Sequence, residues 1–394
     1  MHQKYSSQRI RKLINSGDGG KLKNRNIHHY WKICGYFYWF LRQISPGLTM
    51  IICFVFFQTM NRDLKIKKIQ SMSNNDRSFL SSAAGANTTR LSEFKQVGSR
   101  YGKRVPRALN HLADISIEFN PQAETPFFWD VHFAGESIAE SVFSKCHFLI
   151  QACEHGLKQP DYNDETLQVF EIPSGELYVN VDTTTKHGIQ RAKKLQLAEK
   201  GIADIMISPQ LHSFSSSIFS SFHKGRLFAL FRHPIDRSVS MFYYLSGASW
   251  DPMYNPELKM MSIVEYAKSS SVENNWMTRF LINKQRGKLK KEDMLVAKEI
   301  LRTKCLVGLY EDIQNSLKRF HEYFGWSQTA SKEHISQCRS AVVEAGDERL
   351  ITPKLELNSK EYNSLVQMNL YDLELYEYVK RLYKIQGEQI FGLS

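Results

Sequence analysis

The stretch Leu230-Phe231-Arg232-His233-Pro234-Ile235-Asp236-Arg237-Ser238-Val239-Ser240 holds the residues best suited to grip an anion. Arg232 comes directly off an apolar run, Pro234 suits the first turn of a helix, and Asp236 suits that helix's positive end. Ser240 lies about one and a half turns further on, so that guanidinium and hydroxyl can converge on one phosphate. The same spacing also suits an arginine capping a sheet edge and a serine facing solvent. A second turn, Val131-His132-Phe133-Ala134-Gly135-Glu136-Ser137-Ile138, sets a glycine and small neighbours between an apolar run and a helical pattern. Backbone N–H groups in such a turn can cradle an anion, although a lone glycine also serves a plain tight turn. It is not a Walker loop, because the chain has no G-x-x-x-x-G-K-[ST].

Both turns need elements to hold them. Apolar runs at 127–131, 178–181, 205–207, 227–231 and 306–309 read as five buried strands, separated by helical patterns. One such pattern carries Ile138, Val142, Cys146, Leu149 and Ile150, and another runs from Ile189 to Leu197. Continuous apolar strands alternating with helices predict an α/β fold, a doubly wound parallel sheet covered on both faces. Ligands bind such sheets at the carboxyl ends of the strands, where both turns fall. The expected domain spans 121–345, and 346–394 form a helical extension with Leu373, Tyr376, Val379 and Leu382 on one face.

The order strand–loop–helix at 127–150, followed by Arg-x-Pro-x-x-Arg-x-x-Ser at 232–240, resembles the membrane-bound carbohydrate sulfotransferases of the Golgi. Further marks are Ser240-Met241-Phe242-Tyr243-Tyr244, Leu306-Val307-Gly308-Leu309-Tyr310-Glu311-Asp312, Leu317-Lys318-Arg319-Phe320 and Phe324-Gly325-Trp326. The resemblance implies a P-loop-NTPase-like sulfotransferase fold and 3′-phosphoadenosine 5′-phosphosulfate (PAPS) as donor, with no metal. Arg232 and Ser240 match the residues that hold the 3′-phosphate. Ala134, Gly135, Glu136 and Ser137 match the loop that holds the 5′-phosphosulfate. His212, in Ser208-Pro209-Gln210-Leu211-His212-Ser213-Phe214, matches a catalytic histidine, a residue type suited to general-base work at neutral pH; a helix-capping or solvent-facing histidine is the alternative. The family loop reads Pro-Lys-Thr/Ser-Gly-Gly/Thr-Thr/Ser, and here His132 and Phe133 replace its proline and lysine. Losing one preorganised donor of that kind costs about 10²–10³ in rate. His132 can be protonated and is the nearest substitute cation. Glu136 adds a carboxylate to a loop meant for an anion. The resemblance therefore implies either a sulfotransferase acting on a carbohydrate or glycoconjugate, or a weak or inactive nucleotide-binding relative.

Charge excludes a general nucleic-acid binder. Residues 1–68 hold 13 Lys+Arg against two Asp, so the other 326 residues carry 39 basic and 38 acidic side chains, a net of +1. The basic head, 1–43, precedes 19 uncharged residues between Arg42 and Arg62, whose core at 44–60 is apolar enough to read as a membrane anchor. Nine basic residues up to Arg42 against four from Arg62 to Lys68 predict a cytosolic N-terminus and a lumenal body, a type II topology. A Ser/Asn/Ala/Gly-rich stretch gives an expected stem over 61–120, with a sequon at Asn87. The six cysteines form no zinc pattern. Cys146 and Cys153 stand about 10 Å apart on a regular helix, too far to bridge, whereas Cys305 and Cys338 could pair in an oxidising lumen. Acceptor identity and oligomeric state are not legible in the sequence.

Overall fold

Phe127, Phe128 and Trp129 alternate between the two faces of strand β1 (Glu124–Trp129), and each face finds its own partners. Phe128 meets Phe143 and Phe228 on one side, while Phe127 stacks on Phe214 at 4.8 Å on the other. The remaining strands are β2 (Gln151–Ala152), β3 (Val169–Glu171), β4 (Leu177–Val179), β5 (Ile205–Ser208), β6 (Lys224–Phe231) and β7 (Cys305–Leu309), in spatial order β3-β4-β2-β5-β1-β6-β7. All pairings are parallel except the β3–β4 hairpin at one edge. The computed structural model describes residues 105–158, 165–326, 331–349 and 352–393. The expected anchor at 44–60, the sequon at Asn87 and most of the expected stem lie outside these residues. Among the described residues no helix is long and apolar enough to cross a membrane.

The helices are α1 (Glu136–Lys145), α2 (Lys186–Lys194), α3 (Leu197–Lys200), α4 (Leu211–Ile218), α5 (Pro234–Gly247), α6 (Ile263–Tyr266), α7 (Trp276–Ile282), α8 (Lys291–Lys304), α9 (Ile313–Phe324), α10 (Lys332–Arg349), α11 (Lys360–Met368) and α12 (Leu370–Phe391). Ile138, Val142 and Phe143 of α1 share one core with Leu317 and Phe320 of α9 and Val343 of α10. Phe214 of α4 and Trp276 of α7 cover the opposite face, against Phe127 and Trp129. The sheet is therefore wound on both sides, as the alternating pattern predicts.

Four expectations are corrected. Helix α1 ends at Lys145, because Phe148 takes a left-handed backbone and Leu149-Ile150 lead into β2; the apolar spacing through Ile150 joined a helix to a turn. Residues 105–120 belong to the folded body and not to a stem. Leu109, Leu112 and Ile115 are buried, Leu112 bridges to Gly225, and the Ile115 N–H donates to Thr303 O at 2.8 Å. Cys338 bonds Cys146 and not Cys305, because α10 packs along α1 and brings the two Cα atoms to 5.6 Å, while Cys305 is buried as a free thiol at the start of β7. Lastly, five strands were expected and seven form, the two extra being the short β2 and β3.

The C-terminal helix does more than extend the domain. Gln386 of α12 accepts the Val307 N–H at 2.9 Å and donates to Cys305 O at 2.8 Å, so one carboxamide pairs the outer edge of β7. Tyr376, Val379 and Leu382 of α12 are buried, on the face that their spacing predicts, while Leu373 is only partly buried, against the cluster of Ile235 and Val239.

Candidate functional site

The chain leaves β1 toward β2 on one side of the sheet and leaves β6 toward β7 on the other. Adjacent strands whose connections diverge in this way open a crevice at their carboxyl ends, and β1 and β6 are such a pair. The 130–135 loop and the start of α5 line that crevice.

Gly135 caps α1 with φ +92, a conformation that favours glycine. A Cβ there would come within 2.6 Å of the Tyr310 ring, so the loop rests directly on that aromatic. Phe133 also has a left-handed backbone, φ +64, which is unusual for a bulky side chain. Three contacts hold it there. Its N–H donates to Glu136 Oε1 at 3.0 Å, its carbonyl accepts from Arg232 Nη1 at 3.2 Å, and its ring packs edge-on to Tyr244 with centroids 5.4 Å apart. The Ala134 N–H is shared between Glu136 Oε2 and Val131 O, each at 3.0 Å. The Glu136 carboxylate thus straddles two loop amides.

Arg232 is buried, with its guanidinium 4.4 Å from the centre of the Tyr310 ring. Glu311 follows that tyrosine and accepts the His233 N–H at 2.8 Å and the Tyr376 hydroxyl, which fixes the entry to α5. Arg237, one turn into α5, donates from Nε to His132 O at 2.8 Å, pairs with Glu273 at 2.6 Å and lies 4.5 Å over the Trp276 ring. Two arginines of the Arg-x-Pro-x-x-Arg motif therefore each hold one carbonyl of the β1 loop. Ser240 lies further along α5 with its side chain buried, and Ser137 is exposed at the start of α1.

Asp130, His132 and Glu136 form a charged cluster within the loop. His132 Nδ1 lies 3.4 Å from Asp130 Oδ2. Burial disfavours the imidazolium, but the hydrogen bond and the fields of Asp130 and Glu136 outweigh it and raise the His132 pKa to about 9. Burial, then the field of Asp130, raises the pKa of Glu136, while the loop amides oppose that shift. Each of the three residues brings one ligating atom within 4.8 Å of the others. Such a donor set could hold a divalent cation. As folded, His132 pairs with Asp130, and both Glu136 oxygens accept loop amide N–H groups.

His212 stands apart from the loop. Its Nε2 lies 2.9 Å from Leu281 O and 3.1 Å from Phe280 O, so Nε2 carries the proton and Nδ1 keeps its lone pair. Burial lowers its pKa, and the ring is neutral at neutral pH. It lines a cavity of about 330 Å³ with Gln210, Ser216, Phe280, Asn283 and Gln285, and no residue of 130–137 lines that cavity. An aromatic series spans the interval: the Trp276 ring stacks on Phe280 at 4.1 Å and on Trp129 at 6.0 Å, and its centroid is 6.1 Å from that of His132.

The structure therefore brings Arg232 to the loop formed by His132, Ala134, Gly135 and Glu136, and sets His212 beside a neighbouring cavity. Tyr310, Glu311 and Arg237 had no assigned role from sequence, although Arg237 is the second arginine of the motif and Tyr310-Glu311 closes the apolar run of β7. No family model matches this chain, and no curated protein matches it.

Proposed function

We propose that the chain is a sulfotransferase that moves a sulfuryl group from PAPS to a hydroxyl or amine of a carbohydrate or glycoconjugate. In this reading it is a type II protein of the Golgi membrane, held by 44–60, with the α/β domain in the lumen. The fold would be the P-loop-NTPase-like one, since the first strand is central and a glycine-capped helix follows it. The observation that carries the reading is the Arg232–Phe133 hydrogen bond, which joins the two turns on which the resemblance rests at the divergence of β1 and β6. The Cys146–Cys338 disulfide fits an oxidising compartment. The amide, hydroxyl and aromatic lining beside His212 suits a sugar acceptor.

In the proposed transfer the acceptor oxygen attacks sulfur, the bond from sulfur to the 5′-phosphate oxygen breaks, and its electron pair leaves with the nucleotide. His212 would take the acceptor proton at Nδ1, its tautomer set by the two carbonyls at Nε2; Nδ1 is buried and without a partner as folded, so the acceptor must displace the side chains that cover it. The imidazolium of His132 supplies the positive charge that the family's lysine brings, Phe133 having turned that position toward Tyr244. Incubation of the full-length, oxidised protein with radiolabelled donor and a panel of glycosaminoglycan and glycoprotein acceptors should label an acceptor without added metal. The packing of Phe133 favours a second reading, a nucleotide-binding scaffold without turnover. Nucleotide binding without any label transfer would select it.

A further inference from the structure

The loop that should receive the donor's 5′ anion already holds one of the protein's own. Phe133 and Ala134 aim successive N–H groups at Glu136, one to each carboxylate oxygen, both at 3.0 Å, the second shared with Val131 O at 3.0 Å. This is the two-point geometry that a phosphate or sulfate oxygen pair takes from consecutive amides. The left-handed backbone at Phe133 turns its N–H inward, and Glu136, in the first turn of α1, is the nearest anion to the helix's positive end. A free anion of like charge would meet both occupied donors and a carboxylate in their place.

We infer that the Glu136 carboxylate is an internal plug, occupying the 5′-anion cradle of the β1 loop and excluding 5′-phosphate or phosphosulfate until it swings out. Arg232 is not plugged, so the 3′-phosphate end keeps its cation and the chain discriminates nucleotides poorly at the 5′ end. That the excluded anion is a nucleotide's 5′ group rests on the nucleotide reading; that Glu136 occupies the loop amides does not.

The test compares full-length wild type with Glu136→Ala and with Glu136→Gln, the latter preserving shape. Calorimetry would measure affinity for 3′-phosphoadenosine 5′-phosphate and for adenosine 3′-phosphate, which lacks the 5′ group. Amide resonances of Phe133 and Ala134 would be followed in parallel during titration with inorganic pyrophosphate. Wild type should bind the two nucleotides within about threefold of each other and show no saturable amide shift. Both variants should prefer the 5′-phosphorylated nucleotide by about 10–100-fold, as the one charge-assisted contact fully freed at the Phe133 N–H allows, and their amides should shift with pyrophosphate. A wild type that already prefers the 5′-phosphorylated nucleotide, or variant amides that ignore pyrophosphate, would overturn the plug. Should the variants shift with pyrophosphate while no protein binds either nucleotide, the plug stands and the nucleotide reading falls.

Discussion

Loss of the Cys146–Cys338 disulfide should lower the stability of the domain by about 5 kcal/mol, the largest single effect expected in this protein. The bond closes a loop with a sequence separation of 192. In the chain-entropy account, the cost of leaving a loop of that size unclosed is roughly 5 kcal/mol at room temperature. Packing adds to it. The disulfide joins the C-cap of α1 to α10, and a Cβ at Gly346 of α10 would come within 2.5 Å of Ile138, so the two helices are seated face to face. Urea unfolding of Cys338→Ala beside wild type should show a much lower midpoint, with wild type matching it once reduced. Midpoints that agree within the error of extrapolation would show that α10 docks without the bond.

The second large effect is expected at Arg226, at the amino end of β6 and fully buried. Its guanidinium pairs with Glu124 at 2.6 Å, donates to the carbonyls of Asp114, Ile117 and Glu118, and reaches the Tyr323 hydroxyl at 3.0 Å. One side chain thus ties the 114–118 segment, β1 and α9 together. Arg226→Met would strand the Glu124 carboxylate, itself 8% exposed, and free three carbonyls, for a cost of about 3–5 kcal/mol. Adding Glu124→Leu removes the stranded charge and should recover part of that loss, since replacing both partners of a buried pair is cheaper than removing one. Denaturant midpoints for the two single variants and the double give the coupling directly. A loss below about 1 kcal/mol in Arg226→Met would mean that the pair is solvated.

Much of the sheet was legible because parallel strands buried on both faces must be continuously apolar, and Phe127-Phe128-Trp129 and Leu227-Phe228-Ala229-Leu230-Phe231 are. β2 and β3 escaped because a two- or three-residue strand carries no period. The boundary at residue 120 missed because Leu109, Leu112 and Ile115 are too widely spaced among polar neighbours to declare a core, and only their contacts with β6 and α8 bury them. The partner of Cys338 was open in the sequence for a related reason. Pairing depends on which helices pack, and α1 against α10 is a tertiary fact.

At the site, the motif brought Arg232 and the 134–137 loop into view, and the structure sets Arg232 against that loop. The supports around them come from distant segments: Tyr310 beneath Gly135, Glu311 at the His233 amide, and Glu273 and Trp276 about Arg237. No spacing rule links 135 to 310. The direction in which Glu136 points was equally illegible, because it follows from the left-handed backbone at Phe133, a conformation that sequence does not suggest for phenylalanine.

The central claim is that β1 and β6 present a site for a 3′-phosphorylated nucleotide, with Arg232 as its cation. Calorimetric titration of full-length wild type and Arg232→Ala with 3′-phosphoadenosine 5′-phosphate tests it most directly. The account predicts saturable one-to-one binding by wild type and a loss of about 2–3 kcal/mol, roughly 30–150-fold in affinity, in the variant, as for one removed charge-assisted contact. Folded wild-type protein that takes up no nucleotide, or a variant that binds as tightly as wild type, would contradict it.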